Sequence, residues 1–229
     1  MLQCPGRFYV HVPKTGGTYV RRRLLDLGIG AELVWNARKA HAPLAELPPE
    51  WLEGRRVFSV IREPCAWYLS WVHHYTHPQR GPHGQLLDRV GADPIDFRET
   101  VHRLLDGWGN PARYIRGFGS TGRTQALQEA QENGWGLMRW MYHHLTDDRV
   151  EDWIDLSDID GGLSRLLSLD IEPAEPLNVN GKDDHHAPHG PILEYFDREL
   201  AERVYHREAW AIDRFGFCGP GSAALRGVV

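Results

Sequence analysis

Residues 7–28 read RFYVHVPKTGGTYVRRRLLDLG. The run Arg7–Val12 is short, β-branched and aromatic, the composition of a buried strand. From Thr18 to Leu27, the residues Val20, Leu24 and Leu27 share one helical face, and Gly28 suits the position just past a helix end. Between the two stands PKTGGT, a lysine ahead of two glycines with a threonine on either side. A strand, a glycine turn and a helix start make an anion cradle. The first N–H groups of a helix have no intrahelical acceptor, and the helix dipole adds partial positive charge there. Gly16 and Gly17 let the backbone approach a ligand closely. Thr15 and Thr18 can add hydroxyl donors, and Lys14 a mobile point charge. The plain alternative is an ordinary polar turn.

The cradle is not one of the common nucleotide loops. Walker A places its lysine after the last glycine, with Ser or Thr next for Mg²⁺, whereas Lys14 precedes Gly16 and Gly17. The dinucleotide pattern GxGxxG is also missing. Further along, Glu32–Trp35 reads as a second strand and RVFSVI, Arg56–Ile61, as a strong one. Pro64 opens a helix to about Tyr75. Asp93-Pro94 is read as the cap of another helix, with Phe97, Val101, Leu104 and Leu105 inward. A last long helix is read from Ile192 to Phe215, on the recurrence of Leu193, Phe196, Leu200, Val204 and Ile212. Strand–helix alternation predicts an α/β fold built on a parallel sheet flanked by helices. One domain over 1–229 is expected, with 77–155 as a variable helical and loop region that shapes an acceptor site.

Composition narrows the class. The 229 residues carry a net charge of −5, which gives a general nucleic-acid role no electrostatic support, so an anion site has to be local. Cys4, Cys65 and Cys218 are odd in number and far apart, neither a disulfide framework nor a metal pair, and a reducing, cytoplasmic setting is the simplest reading. No signal peptide and no run of about 18 apolar residues is seen, so no membrane span is expected.

With these residues in hand, a family resemblance emerges. HVPKTGGT resembles the 5′-phosphosulfate loop of sulfotransferases that use 3′-phosphoadenosine 5′-phosphosulfate (PAPS), in the form seen in the carbohydrate branch, such as the uronyl and heparan 2-O-sulfotransferases. A second element stands at the right place in VFSVIREPCAWYLSWVHHY, Val57–Tyr75: a strand ending in Arg62, then Pro64, then a helix with Ser70 eight residues after the arginine. Weaker likenesses are AHAPLAELP (Ala40–Pro48), LNVNGK (Leu177–Lys182) and the terminal segment Tyr195–Phe217; the middle of the chain matches poorly. The resemblance implies the P-loop-like sulfotransferase fold and transfer of a sulfuryl group from PAPS to a hydroxyl acceptor, carbohydrate among the candidates, leaving PAP, with no metal. It implies that Lys14, Thr15, Gly16, Gly17, Thr18 and Tyr19 hold the phosphosulfate, that Arg62 and Ser70 hold the 3′-phosphate, and that Lys14 and His41 are catalytic. A P-loop phosphotransferase and a non-catalytic nucleotide- or glycan-binding module are the competing readings.

Histidine suits a general base near neutral pH, and there are thirteen to choose from. His41 leads because it follows the second strand at the family's position; an exposed loop histidine is the alternative. His11 reads as structural. His73 and His77 share a helical face at i, i+4, but no HExxH is present, and DDHHAPHG, Asp183–Gly190, reads as a solvated loop. Of Arg21, Arg22 and Arg23, at least two belong to a solvated helix face. Trp67 and Trp71 read as core, and Arg116 and Arg123 flank a glycine-rich turn that could touch nucleotide or acceptor.

Overall fold

The computed structural model describes residues 1–32, 41–76, 96–106, 130, 132–174 and 192–217. In chain order these form strands β1 (Leu2–Cys4), β2 (Arg7–Val10), β3 (Ala31–Glu32), β4 (Arg56–Ile61) and β5 (Val150–Asp155). The helices are α1 (Gly17–Asp26), α2 (Pro64–Thr76), α3 (Phe97–Asp106), α4 (Leu137–Thr146), α5 (Ile159–Leu167), α6 (Ile192–Tyr195), α7 (Arg198–Arg207) and α8 (Ala209–Phe215). Two compact units result: residues 1–32, 41–62 and 141–174, and residues 63–76, 96–106, 130, 132–140 and 192–217. The predicted caps at Asp93-Pro94, the segments Leu177–Lys182 and Asp183–Gly190, and His77, Arg116, Arg123 and Cys218 lie outside the described residues.

The first unit is α/β. Its sheet runs β3-β1-β2-β4-β5. The expected all-parallel sheet is corrected to a mixed one: β2, β4 and β5 are parallel neighbours, but β1 is antiparallel to both β2 and β3. The cause is local. Only Pro5 and Gly6 separate β1 from β2, and a two-residue connection can join antiparallel strands alone. Gly6 takes the positive φ of 63° that such a turn needs. Of the strand expected at Glu32–Trp35, Glu32 is found in β3, and residues 33–35 lie outside the described residues. Val150–Asp155, inside the stretch read as helix and loop, is a strand of this sheet. Its polar spelling VEDWID hid it, since only Val150 and Ile154 are buried.

Side-chain alternation assigns the two faces. Tyr9, Phe58, Val60 and Ile154 point to one side, against Val20 and Leu24 of α1 and Ile159 and Leu163 of α5. Phe8, Val10, Val57 and Val150 point to the other, against Ala42, Leu44 and Leu47. β4, buried on both faces from Val57 to Ile61, is an interior parallel strand and accordingly lacks polar alternation.

The second unit is helical. α2 starts where it does because Glu63 caps it: the carboxylate accepts from the N–H groups of Cys65 (3.0 Å) and Ala66 (2.7 Å), and Tyr205 donates to it at 2.6 Å. Trp67 and Trp71, one turn apart, are both buried and stack at 4.9 Å, so they are core as read. α3 begins one turn beyond Pro94, with Asp96 accepting from Glu99 N–H. The single terminal helix is corrected to three. Asp197 accepts from Leu200 N–H at 2.9 Å and starts α7 afresh, and Glu208 separates α7 from α8.

Glu208 is fully buried. It accepts from Tyr68 Oη (2.8 Å), Trp210 Nε1 (3.1 Å), and the N–H groups of Met138 (3.0 Å) and Arg139 (2.9 Å) at the start of α4. Burial raises its pKa, and the four donors oppose that shift. Glu208→Gln is expected to destabilise the protein by about 2–3 kcal/mol, because the amide NH₂ would face buried N–H donors. Trp210→Phe, which removes one donor only, is expected to cost about 1 kcal/mol. Urea unfolding followed by circular dichroism checks both, and equal effects would contradict the central place given to Glu208.

Candidate functional site

Parallel pairing of β2 with β4 sets the site. Val10 lies opposite Ser59, and the buried Ser59 hydroxyl donates to Val10 O at 2.9 Å. The two strands therefore release their chains side by side, where open α/β sheets bind ligands. From β2 comes the loop His11–Gly16 and from β4 comes Arg62. The Arg62 guanidinium donates to Lys14 O at 3.0 Å, which braces the loop from the neighbouring strand.

The loop backbone is shaped for close approach. Lys14 and Gly16 have φ of 68° and 73°, the left-handed region, uncommon for a lysine. Thr15 is buried and its hydroxyl donates to Val12 O at 2.7 Å, so this side chain fastens the loop and leaves any anion to the backbone. Gly16 caps α1 with no side-chain acceptor on the first turn. The first intrahelical bonds are Tyr19 N–H and Val20 N–H to Gly16 O, at 2.9 and 3.1 Å. The N–H groups of Gly17 and Thr18 stand ahead of these bonds, at the head of the helix. The exposed Thr18 stands in this first turn.

Both glycines have steric causes. A Cβ at Gly16 would come within 2.5 Å of Leu156 Cδ1. At Gly17 it would fall on the imidazole of His11, overlapping Cδ2 and Nε2. His11, read as merely structural, therefore packs directly beneath the start of α1. Nothing in the spacing of the sequence singles it out.

His41 joins the same loop. Its Nδ1 lies 3.2 Å from His11 O, and the two imidazole centroids are 4.5 Å apart. A carbonyl only accepts, so Nδ1 carries the proton and Nε2 the lone pair of the neutral ring. Burial lowers the pKa of His41 below 6.5, aided by the positive charges of the amino terminus and Lys14 and opposed by the bond to His11 O. His11 is lowered further, first by burial and then by His41, the amino terminus and Lys14. Both rings are neutral at pH 7.

The rest of α1 is tied down by Asp160, which the sequence did not reveal. Asp160 accepts from Tyr19 Oη (2.5 Å), Arg23 Nε (2.9 Å) and Ala174 N–H (3.1 Å). Tyr19, placed by resemblance among the nucleotide ligands, has its hydroxyl turned to this network, and burial, then the bond to Asp160, lifts its pKa to about 12. Arg22 pairs with Asp26 on the surface, and Arg21 is exposed, as a solvated face requires. Ser70 is buried on α2, in the second unit. His73 meets the rings of Phe97 and Tyr195 edge-on, at 5.8 and 5.0 Å. A shallow depression of about 260 Å³ opens beside β5 and α5, but its arginines, Arg7 and Arg165, are paired with Asp152 and Asp158. Among the described residues no group of three or more His, Cys, Asp or Glu is gathered to hold a metal, and no helix is long and apolar enough to cross a membrane.

The Asp160 network makes a pH prediction. Its hydrogen bonds and the Arg23 charge outweigh burial and depress the carboxyl pKa below its ordinary 3.8. A depressed carboxylate contributes stability that is present above the ordinary value and lost as pH falls through the folded value. Asp160→Asn should therefore lower stability at pH 6 and flatten its fall between about pH 4 and pH 2. Urea midpoints of both proteins across that range check this, and parallel pH curves would contradict it.

No family model matches this chain, and no match is found among curated proteins or solved structures.

Proposed function

We propose that this chain transfers a sulfuryl group from PAPS to a hydroxyl acceptor, with carbohydrate the acceptor class that the resemblance implies, on a P-loop-like sulfotransferase fold. One observation carries the reading. Lys14, His41 and Arg62, singled out by three separate motifs, meet on one short stretch of backbone, His41 on the carbonyl of His11 and Arg62 on that of Lys14. A polar turn would need neither of these long-range bonds.

PAPS brings an activated sulfuryl group on a phosphate leaving group. In this reading the N–H groups from Gly16 to Thr18 hold the phosphosulfate oxygens, favoured by the helix dipole. Lys14 neutralises the charge that develops on the leaving phosphate oxygen. The acceptor oxygen bonds to sulfur as the sulfur–phosphate oxygen bond breaks, and the acceptor proton passes to Nε2 of His41. Arg62 binds the 3′-phosphate, through which PAP is told from 5′-AMP, and the resemblance assigns Ser70 to the same phosphate.

Calorimetry tests the nucleotide. PAP is expected to bind far more tightly than 5′-AMP, and Arg62→Ala to remove most of that preference, weakening PAP by about 1.5–3 kcal/mol more than it weakens AMP, whose phosphate loop the same guanidinium braces. Equal affinities of the wild type for the two would overturn the reading. Labelled PAPS with a panel of hydroxyl acceptors tests the transfer, which is expected to survive excess EDTA; loss restored by Mg²⁺ would favour a phosphotransferase.

The two catalytic side chains separate in kinetics. Lys14→Ala is expected to lower turnover and weaken PAPS binding together. His41→Ala is expected to leave PAP affinity unchanged and lower turnover about 10²–10⁴-fold. In the wild type the acidic limb of the rate profile falls below pH 6.5, because burial holds His41 below that value.

A further inference from the structure

His11 stands between the anion loop and the base, touching both. Its ring occupies the space that a Cβ on Gly17 would need, so it is fixed against the first residue of α1. Its carbonyl receives Nδ1–H of His41, and its ring lies 4.5 Å from that of His41 at an angle of 50°. The His11 ring also stacks on Tyr9 of β2 at 6.2 Å. A side chain packed against both Gly17 and Tyr9 holds its own carbonyl in place, and a carbonyl in place selects one tautomer of the ring it binds.

We infer that His11 is a positioning residue for His41: its carbonyl fixes the Nδ1–H tautomer, and its ring, wedged against Gly17, covers one face of the His41 ring and keeps water from it. The inference rests on the reading of His41 as the base, but its physical content is independent of any reaction. The groups acting on His41 include His11 at the end of β2, through its carbonyl, Lys14 in the loop and the amino terminus. His11 carries no charge at neutral pH, so its influence is cover and tautomer, whereas Lys14 and the amino terminus act through charge.

Histidine ring spectra of the free protein, in long-range proton–nitrogen correlation with His41 assigned by loss of its signals in His41→Gln, read this directly. In the wild type His41 is expected as the Nδ1–H tautomer at pH 7, titrating below 6.5. In His11→Ala water gains the exposed face, so the midpoint should rise toward 6.5, and turnover at pH 6 should fall by up to about 4-fold with PAP affinity retained. His11→Phe restores the cover with a ring that cannot titrate, and is expected to return both midpoint and low-pH turnover toward wild type. An Nε2–H tautomer in the wild type overturns the inference without any variant, and so does an unchanged midpoint in His11→Ala. Spectra that behave as expected in a protein that transfers no sulfuryl group would leave His11 in its place and remove the proposed reaction instead.

Discussion

The register of β2 on β4 is the constraint from which the site follows. Phe8 pairs with Val57 and Val10 with Ser59, and the Ser59 hydroxyl closes on Val10 O inside the sheet. Slipping β2 by one residue on β4 would turn Tyr9 into the other apolar layer, away from Phe58. Held in register, the strands end together, and the chain leaving β4 at Arg62 reaches the carbonyl of Lys14, 48 residues earlier. A guanidinium bound to a carbonyl two residues before Gly16 restrains a loop whose lysine sits at positive φ. That unfavourable conformation persists because the sheet, Arg62 and the Thr15–Val12 bond determine it several times over.

The loop is economical in its steric logic. Gly16 clears Leu156 and starts the helix without a side-chain cap, and Gly17 clears His11. The absence of a capping side chain leaves the helix dipole facing outward, and the same absence of Cβ atoms lets an imidazole lie beneath it. Two uncharged histidines and one lysine then share a small volume. Were either ring protonated there, it would meet Lys14, the amino terminus and a dry surround, and their joint effect is to keep both rings neutral. A neutral imidazole with a defined lone pair is what proton abstraction from a hydroxyl requires.

The helical unit solves a different problem with a buried carboxylate. Glu208 satisfies backbone donors at the start of α4 that no residue of that helix reaches, because Trp135 and Gly136 precede it instead of a capping side chain. The same residue ends α7, so the unit is pinned where several helices turn. Glu63 does the equivalent for α2, with Tyr205 as its partner. Polar groups buried in this way stabilise one arrangement of helices above others because misplacing them leaves donors unpaired.

The strand β4, the helices α1 and α2 and the glycine turn between β2 and α1 were legible in the sequence, because each is announced by local composition: an unbroken apolar run, an apolar face at helical spacing, a proline at a first turn, a paired glycine. The stacked pair Trp67–Trp71 followed from spacing alone. Long-range pairing was not legible. β5 is spelled in charged residues because only two of its side chains enter the core, and the direction of β1 depended on a two-residue turn whose partner strand the sequence does not name. The terminal helix kept its apolar period through Asp197 and Glu208, yet both carboxylates bind backbone or side-chain donors that a one-dimensional period cannot see. His41 was named by its place after a strand; that it binds His11, and that His11 fills the space of a missing Cβ, was decided by the tertiary structure. Sequence determines what each residue can donate, accept or bury, but only the packed sheet brings residues 11, 14, 41 and 62 within reach of one another.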